Sequence, residues 1–124
     1  MAFLKQIFTW WNGTTIGTRI YTWRNGSFVG SDDSGNRYYQ ARNGRRWVQY
    51  NGYAEPSTIP PGWHGWIHHK VDVPPTAEDY VAREWQKPHE PNHTGTARAY
   101  RPAGSLLKET PRPVKPDYEA WQPK

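Results

Sequence analysis

All twelve prolines of this 124-residue chain lie from Pro56 onward. Proline lacks the amide donor that helix and sheet ladders both need, so regular structure belongs mainly to the first 55 residues and the rest is turns and extended chain. Charge divides along a similar line. Residues 1–50 carry seven Lys and Arg against two acids, Asp32 and Asp33, whereas residues 51–124 carry nine of each sign. The formal charge of +5 therefore sits in the front half.

In that front half, Phe3, Leu4, Ile7, Phe8 and Trp11 recur at helical spacing opposite Lys5, Gln6, Thr9 and Asn12, and Gly13 supplies a stop. The spacing predicts an N-terminal amphipathic helix over residues 1–13. A helix this short is marginal alone in water, so its apolar face must rest on its own sheet, on a partner protein or in a membrane interface. Thr18–Arg24 is β-branched and aromatic, and Asn25-Gly26 is a strong two-residue hairpin signal, which predicts a first hairpin returning over Ser27–Ser31. Turns at Asp33-Ser34-Gly35-Asn36 and Arg42-Asn43-Gly44 then lead into strands over Arg37–Ala41 and Arg45–Tyr50.

Pro61 opens a helical turn through His69 that displays Trp63 and Trp66 on adjacent faces, with His64 and His68 four residues apart. Thr76 with Asp79 has the form of a capping box, which predicts a helix near Ala77–Gln86 ended by Pro88. From Pro74 the chain has nine prolines in 51 residues and few apolar anchors, among them Tyr80, Trp85, Tyr100, Tyr118 and Trp121. Such a tail has no core of its own. It is either disordered or a strap that reaches on the order of 150 Å when fully extended and is pinned at intervals on a partner. The whole is a small α+β fold: an N-terminal helix (1–13), a three- to four-stranded antiparallel meander with its Trp/His-rich turn (14–73), and an irregular proline-rich tail (74–124).

Several chemistries lack their residues. Without cysteine there is no disulfide framework, thiolate zinc site or Cys nucleophile. No apolar run approaches the roughly 18 residues of a membrane span, and the N-terminus lacks the features of a secretory signal. His64, His68 and His69 have part of a metal-binding spacing, but no Asp, Glu or Cys completes a set nearby, and Pro91 separates His89 from His93. Phosphate loop, nucleophile elbow and paired carboxylates are likewise missing. No catalytic, cofactor-binding or metal-ligating residue is expected.

Binding is the remaining class. Arg37, Arg42, Arg45 and Arg46 interleave with Tyr38, Tyr39, Trp47 and Tyr50, a pattern that suits single-stranded nucleic acid and equally the hot spots of protein interfaces. The aromatic, proline-rich tail favours protein partners; carbohydrate on exposed Trp is a third option.

In order along the chain, Val29-Gly30-Ser31-Asp32, Gly35-Asn36-Arg37-Tyr38-Tyr39, Arg45-Arg46-Trp47-Val48-Gln49-Tyr50, Pro60-Pro61-Gly62-Trp63-His64-Gly65-Trp66-Ile67-His68-His69 and Asn92-His93-Thr94-Gly95-Thr96, with Tyr100 and Pro102, form a recognisable series. It resembles the seventeen-kilodalton accessory subunit family of respiratory complex I (NADH:ubiquinone oxidoreductase), which includes the assembly factor mimitin. The resemblance implies a supernumerary subunit with no cofactor and no catalysis, packed along the peripheral arm against the iron–sulfur and quinone-site core subunits. Its N-terminal helix would lie near the membrane surface, with no nucleic acid bound and no self-standing homo-oligomer.

The insertion often seen in animal members between the positions matching Tyr50 and Pro60 is missing. With the absence of an import presequence this points to a bacterial relative on the cytoplasmic face of the inner membrane; the alternative is the matrix side of the mitochondrial inner membrane. The alternatives in function are an assembly factor that leaves after binding an intermediate, and a small RNA-binding module. Expected contact residues are Phe3, Ile7 and Trp11 of the helix, and Arg45 and Arg46 paired with an acidic partner surface. Trp47, Trp63 and Trp66 would be desolvated contacts beside His64 and His68, and Tyr100 and Trp121 would pin the tail. The other reading of Trp47, with Tyr39, is that it fills the small core.

Overall fold

The computed structural model describes residues 4, 7–9, 13–78, 80–102, 104–107, 118 and 120–123. Of the expected N-terminal helix, Leu4, Ile7 and Phe8 are helical and exposed. Phe3 and Trp11 lie outside the described residues, as does Asp79 of the expected capping box.

Thr15 starts the first full element, α1 (Ile16–Asn25): its backbone is extended and its hydroxyl accepts from the Thr18 amide at 3.3 Å. Arg24 in the last turn complements the negative end of the helix dipole. This overturns the strand expected over Thr18–Arg24 and the hairpin at Asn25-Gly26. Asn25 ends the helix and Gly26 is extended at φ −92°, whereas a type I′ turn needs positive φ at both residues.

The reason is tertiary. Thr22 hydroxyl donates to the Thr18 carbonyl at 2.8 Å and accepts from Trp47 Nε1 and Gln49 Nε2, each at 2.9 Å. The β-propensity of Thr and Ile is worth only tenths of a kcal/mol per residue, about 1 kcal/mol less than such a node of long-range bonds contributes. What glycine supplies at position 26 is closeness, since a Cβ there would stand 2.7 Å from the Thr22 carbonyl oxygen and 2.8 Å from the Trp47 ring.

Three antiparallel strands follow in the order β1 (Gly26–Ser31), β2 (Arg37–Ala41), β3 (Arg46–Gln49). Phe28 faces Tyr39 and Gly30 faces Tyr38, with the register shifting at Val29, so β1 carries a bulge. On the other side Tyr38 faces Val48 and Tyr39 faces Trp47. Alternation therefore sends Tyr38, Arg46 and Val48 to one face of the sheet and Tyr39, Trp47 and Gln49 to the other.

The first face is closed by α2 (Pro61–Ile67). Pro61 fits the first helical position, where its missing amide costs nothing. The helix ends as a Schellman motif, with His69 N donating to Trp66 O at 3.1 Å and Lys70 N to Gly65 O at 2.9 Å. His69 takes the left-handed conformation (φ 56°) that glycine usually fills there. Tyr38, Ile59, Trp63 and Trp66 form the buried core, flanked by Val29, Val48, Tyr50 and Ile67. Gly30 lets the Trp63 ring lie against β1, because a Cβ would approach that ring to 2.9 Å.

Among the described residues of 77–86 no α-helix forms. A single 3-10 turn, Pro75–Ala77, is followed by irregular chain in which Gln86 Oε1 accepts from the Tyr80 hydroxyl and from Arg83 N, both at 2.7 Å. Tyr80, Val81 and Trp85 are all exposed. With no apolar face buried, nothing offsets the nucleation cost of so short a helix. The chain divides into two compact units, Met1–Asn92 and His93–Lys124. The described residues of the second hold only turns, closed for instance by Thr96 N on His93 O and Ser105 N on Pro102 O.

Candidate interaction surface

The α2 side of the sheet is packed with aromatic rings. Tyr38 stacks on Trp63 at 3.9 Å with the planes 3° apart, and both meet Trp66 edge-on. Arg46 lies over the Trp66 ring at 4.8 Å. Its Nη1 donates to the carbonyls of Trp66 and Val71 at 2.7 and 2.9 Å, and its Nη2 reaches Asp72 at 3.2 Å. The Asp72 side chain is almost fully exposed, so the ion pair contributes little, and the two carbonyl bonds hold the guanidinium.

At the edge of the core, Tyr38 hydroxyl donates to Asp32 at 2.8 Å. Asn36, itself buried, donates to Asp32 and to Thr58 Oγ1 and accepts from the Asn51 amide. Burial, then the Asp32 carboxylate, pushes the Tyr38 phenol far above its ordinary range. Burial and Glu55 raise that of Tyr50.

Three expected contact residues are thereby reassigned. Trp63 (4% exposed) and Trp66 (1%) are core, not displayed anchors. Residues three apart on a helix share one face, and in α2 that face is the inner one. Arg46 pairs within its own chain instead of reserving its charge for a partner.

The α1 side is built the other way round. Thr22 and Tyr21 turn inward, Thr22 to its two donors and Tyr21 against Trp47 at 5.3 Å, while Trp47 also stacks on Tyr39. Ile20 and Trp23 face outward, the latter 85% exposed. Together with Phe28 of β1 they border an open groove of about 510 Å³ over Gly26 and Tyr39. Arg37 lies 5.2 Å over Phe28 and 5.8 Å over Tyr39, two of the lining residues. Sequence reasoning missed Ile20, Trp23 and Phe28. Their signal was there: Ile16, Arg19, Ile20 and Trp23 follow the i, i+3, i+4, i+7 rule of one helix stripe, hidden once the segment is taken as a strand.

Of the other expected residues, Ile7 is exposed and Arg45 lies over Tyr21 at 5.5 Å. His64 and His68 are exposed neighbours, ring centroids 4.3 Å apart. They border a cleft of about 830 Å³ with Trp47, Tyr50, Ile59 and His89. Among the described residues no three metal-ligating side chains gather, and no helix is long and apolar enough to cross a membrane. In the second unit Tyr100 and, near its end, Trp121 stand 89% and 80% exposed.

Residues 26–123 match the family model for NADH ubiquinone oxidoreductase subunit NDUFA12. The chain belongs to this family. A relative from Dictyostelium discoideum, named NADH dehydrogenase [ubiquinone] 1 alpha subcomplex subunit 12, is 45% identical over 85 residues, 64% of this chain and 62% of its own length. The Bos taurus protein of the same name is 37% identical over 103 residues, 71% of this chain and 70% of that one. An uncharacterized protein of Rickettsia prowazekii is 29% identical over 77% of this chain and 85% of its own. The family match begins at β1 and so takes in the whole sheet, the tryptophan core and the irregular tail, while α1 precedes it.

Proposed function

We propose that this chain is a non-catalytic accessory subunit of NADH:ubiquinone oxidoreductase that stabilises the peripheral arm by lying along its iron–sulfur and quinone-site core subunits. The observation that carries the proposal is the row of large apolar side chains left in water along the irregular chain: Tyr80, Trp85, Tyr100, Leu106, Tyr118 and Trp121. A soluble monomer gains nothing from exposing these, whereas a strap that docks on a neighbour buries them at spaced pockets. Membership in the complex I subunit family supplies the neighbour. Arg45, His64, His68, Tyr100 and Trp121 are the contact residues of this reading, and it places the subunit peripherally, on the cytoplasmic face of a bacterial inner membrane or its mitochondrial matrix equivalent. An RNA-binding role fits less well, because the sheet rings on which bases would stack are taken up in packing: Tyr38 and Tyr39 are buried and Trp47 is half-buried.

The test is to pull the tagged chain from detergent-solubilised membranes and assay the eluate for NADH:quinone reductase activity and subunit composition. Recovery of the whole active enzyme is expected. A subassembly alone would favour the assembly-factor role, and bound RNA without enzyme would end the complex I reading.

A further inference from the structure

A surface helix normally turns its apolar stripe inward and its polar stripe to water. Helix α1 departs from this: it meets the sheet through the Thr22 hydroxyl and the Tyr21 ring and holds Ile20 and Trp23 outward. The outward stripe runs on into Phe28 of the strand that follows. We propose that this face is a docking site for an acidic protein segment whose apolar side chain enters the groove between Trp23 and Phe28. The proposal rests on the complex I reading for where that segment is found.

Three features select this occupant. The groove is open and holds about 510 Å³ over Gly26 and Tyr39, room for one large side chain between Trp23 and Phe28. Aromatic walls at an exposed site are the usual anchors of protein interfaces. The charge is one-sided: Arg37 stands over the ring of Phe28, one of the lining residues, and among the described residues that line the groove there is no carboxylate. A second copy of this chain would bring Arg against Arg, so carboxylates flanking the incoming apolar residue are the complementary chemistry. The family match starts only at residue 26, so the Trp23 wall of the site lies outside the part that the family model describes.

To test this, the full-length chain carrying a benzophenone amino acid in place of Trp23 is expressed in cells that make the complex and irradiated in solubilised membranes. The adduct is then sequenced, and co-purification of the wild-type chain with the complex is scored in parallel. The expected adduct is a peptide of another complex I subunit in which Asp or Glu flank an apolar residue. Its yield should fall about ten-fold when Arg37→Glu is added, and Trp23→Ala should weaken retention after a salt wash by a similar factor. An adduct to lipid, to a second copy or to a neutral or basic peptide, or no adduct at all, overturns the docking site if the wild-type chain still co-purifies with the complex. Failure of the wild-type chain to co-purify overturns the complex I reading, and the docking site with it. Trp23→Ala is also melted as the isolated chain: a large loss of stability would make Trp23 core and overturn the proposal by itself.

Discussion

The sheet is covered on one side by α2 and on the other by α1, and the two covers use opposite chemistry. Helix α2 presses two indoles into a tyrosine and leaves its imidazoles in water. Helix α1 holds on through the Thr22 hydroxyl and the Tyr21 ring and leaves Ile20 and Trp23 in water. The α2 side spends its apolar surface on the fold, whereas the α1 side keeps much of its own for something else. Substitutions on the two sides should therefore separate stability from association.

The contrast breaks most readily at Trp66. Trp66→Ala should cost about 3–5 kcal/mol of unfolding free energy in urea titration, and a loss below about 1 kcal/mol would mean that the α2 side is no better packed than the other. Next is Arg46→Met, which strips the donors from two carbonyls and the cation from the Trp66 face; about 2–3 kcal/mol is expected by the same titration. Across the sheet, Thr22→Val keeps the shape and removes the acceptor for Trp47 and Gln49. A loss of about 1–2 kcal/mol would assign α1 docking to that hydroxyl.

Tyr38→Phe should cost about 1 kcal/mol at neutral pH, and its value lies in its pH dependence. The folded-state phenol sits above its ordinary 10.0, so the unfolded chain gives up its proton first. Stability from this group is full below about pH 10 and declines as pH rises beyond it. Between about pH 9 and about pH 11 the urea midpoint of the wild type should therefore fall more than that of Tyr38→Phe. Smallest of all is Trp23→Ala, expected within about 0.5 kcal/mol of wild type, since the ring touches little of its own fold.

Much of the α2 side was legible in the sequence. The turns before β2 and β3, the strands themselves and the Pro61 start of a helix all follow local rules, and they emerged where those rules place them. Which way the indoles of α2 point was not legible: Trp63 and Trp66, expected on adjacent faces, share one face as residues three apart do, and spacing does not say whether that face looks at the sheet or at water. On the α1 side the local signals conflicted. Thr18, Ile20 and Tyr21 favour strand and Asn25-Gly26 favours a hairpin, but the Thr15 cap and the bonds from Trp47 and Gln49, 25 and 27 residues on from Thr22, favour helix. Bonds at that separation leave no trace in a local window. The expected Ala77–Gln86 helix failed for the complementary reason: its capping pattern was local and no tertiary surface answered it.

Asn36 sits where the turn after β1, the loop after β3 and the 3-10 turn before α2 converge, and its amide group bonds to each of them. A clasp of this kind sets how the unit opens. The Asn51 amide hydrogen is held by a side chain only 2% exposed, so it exchanges with solvent only when Asn36 lets go. Asn36 in turn is bonded both to the turn after β1 and to the 3-10 turn before α2. Strands, loop and helix approach are therefore expected to unfold as one cooperative block, with the Asn51 amide exchanging as slowly as those of the strands that the loop joins.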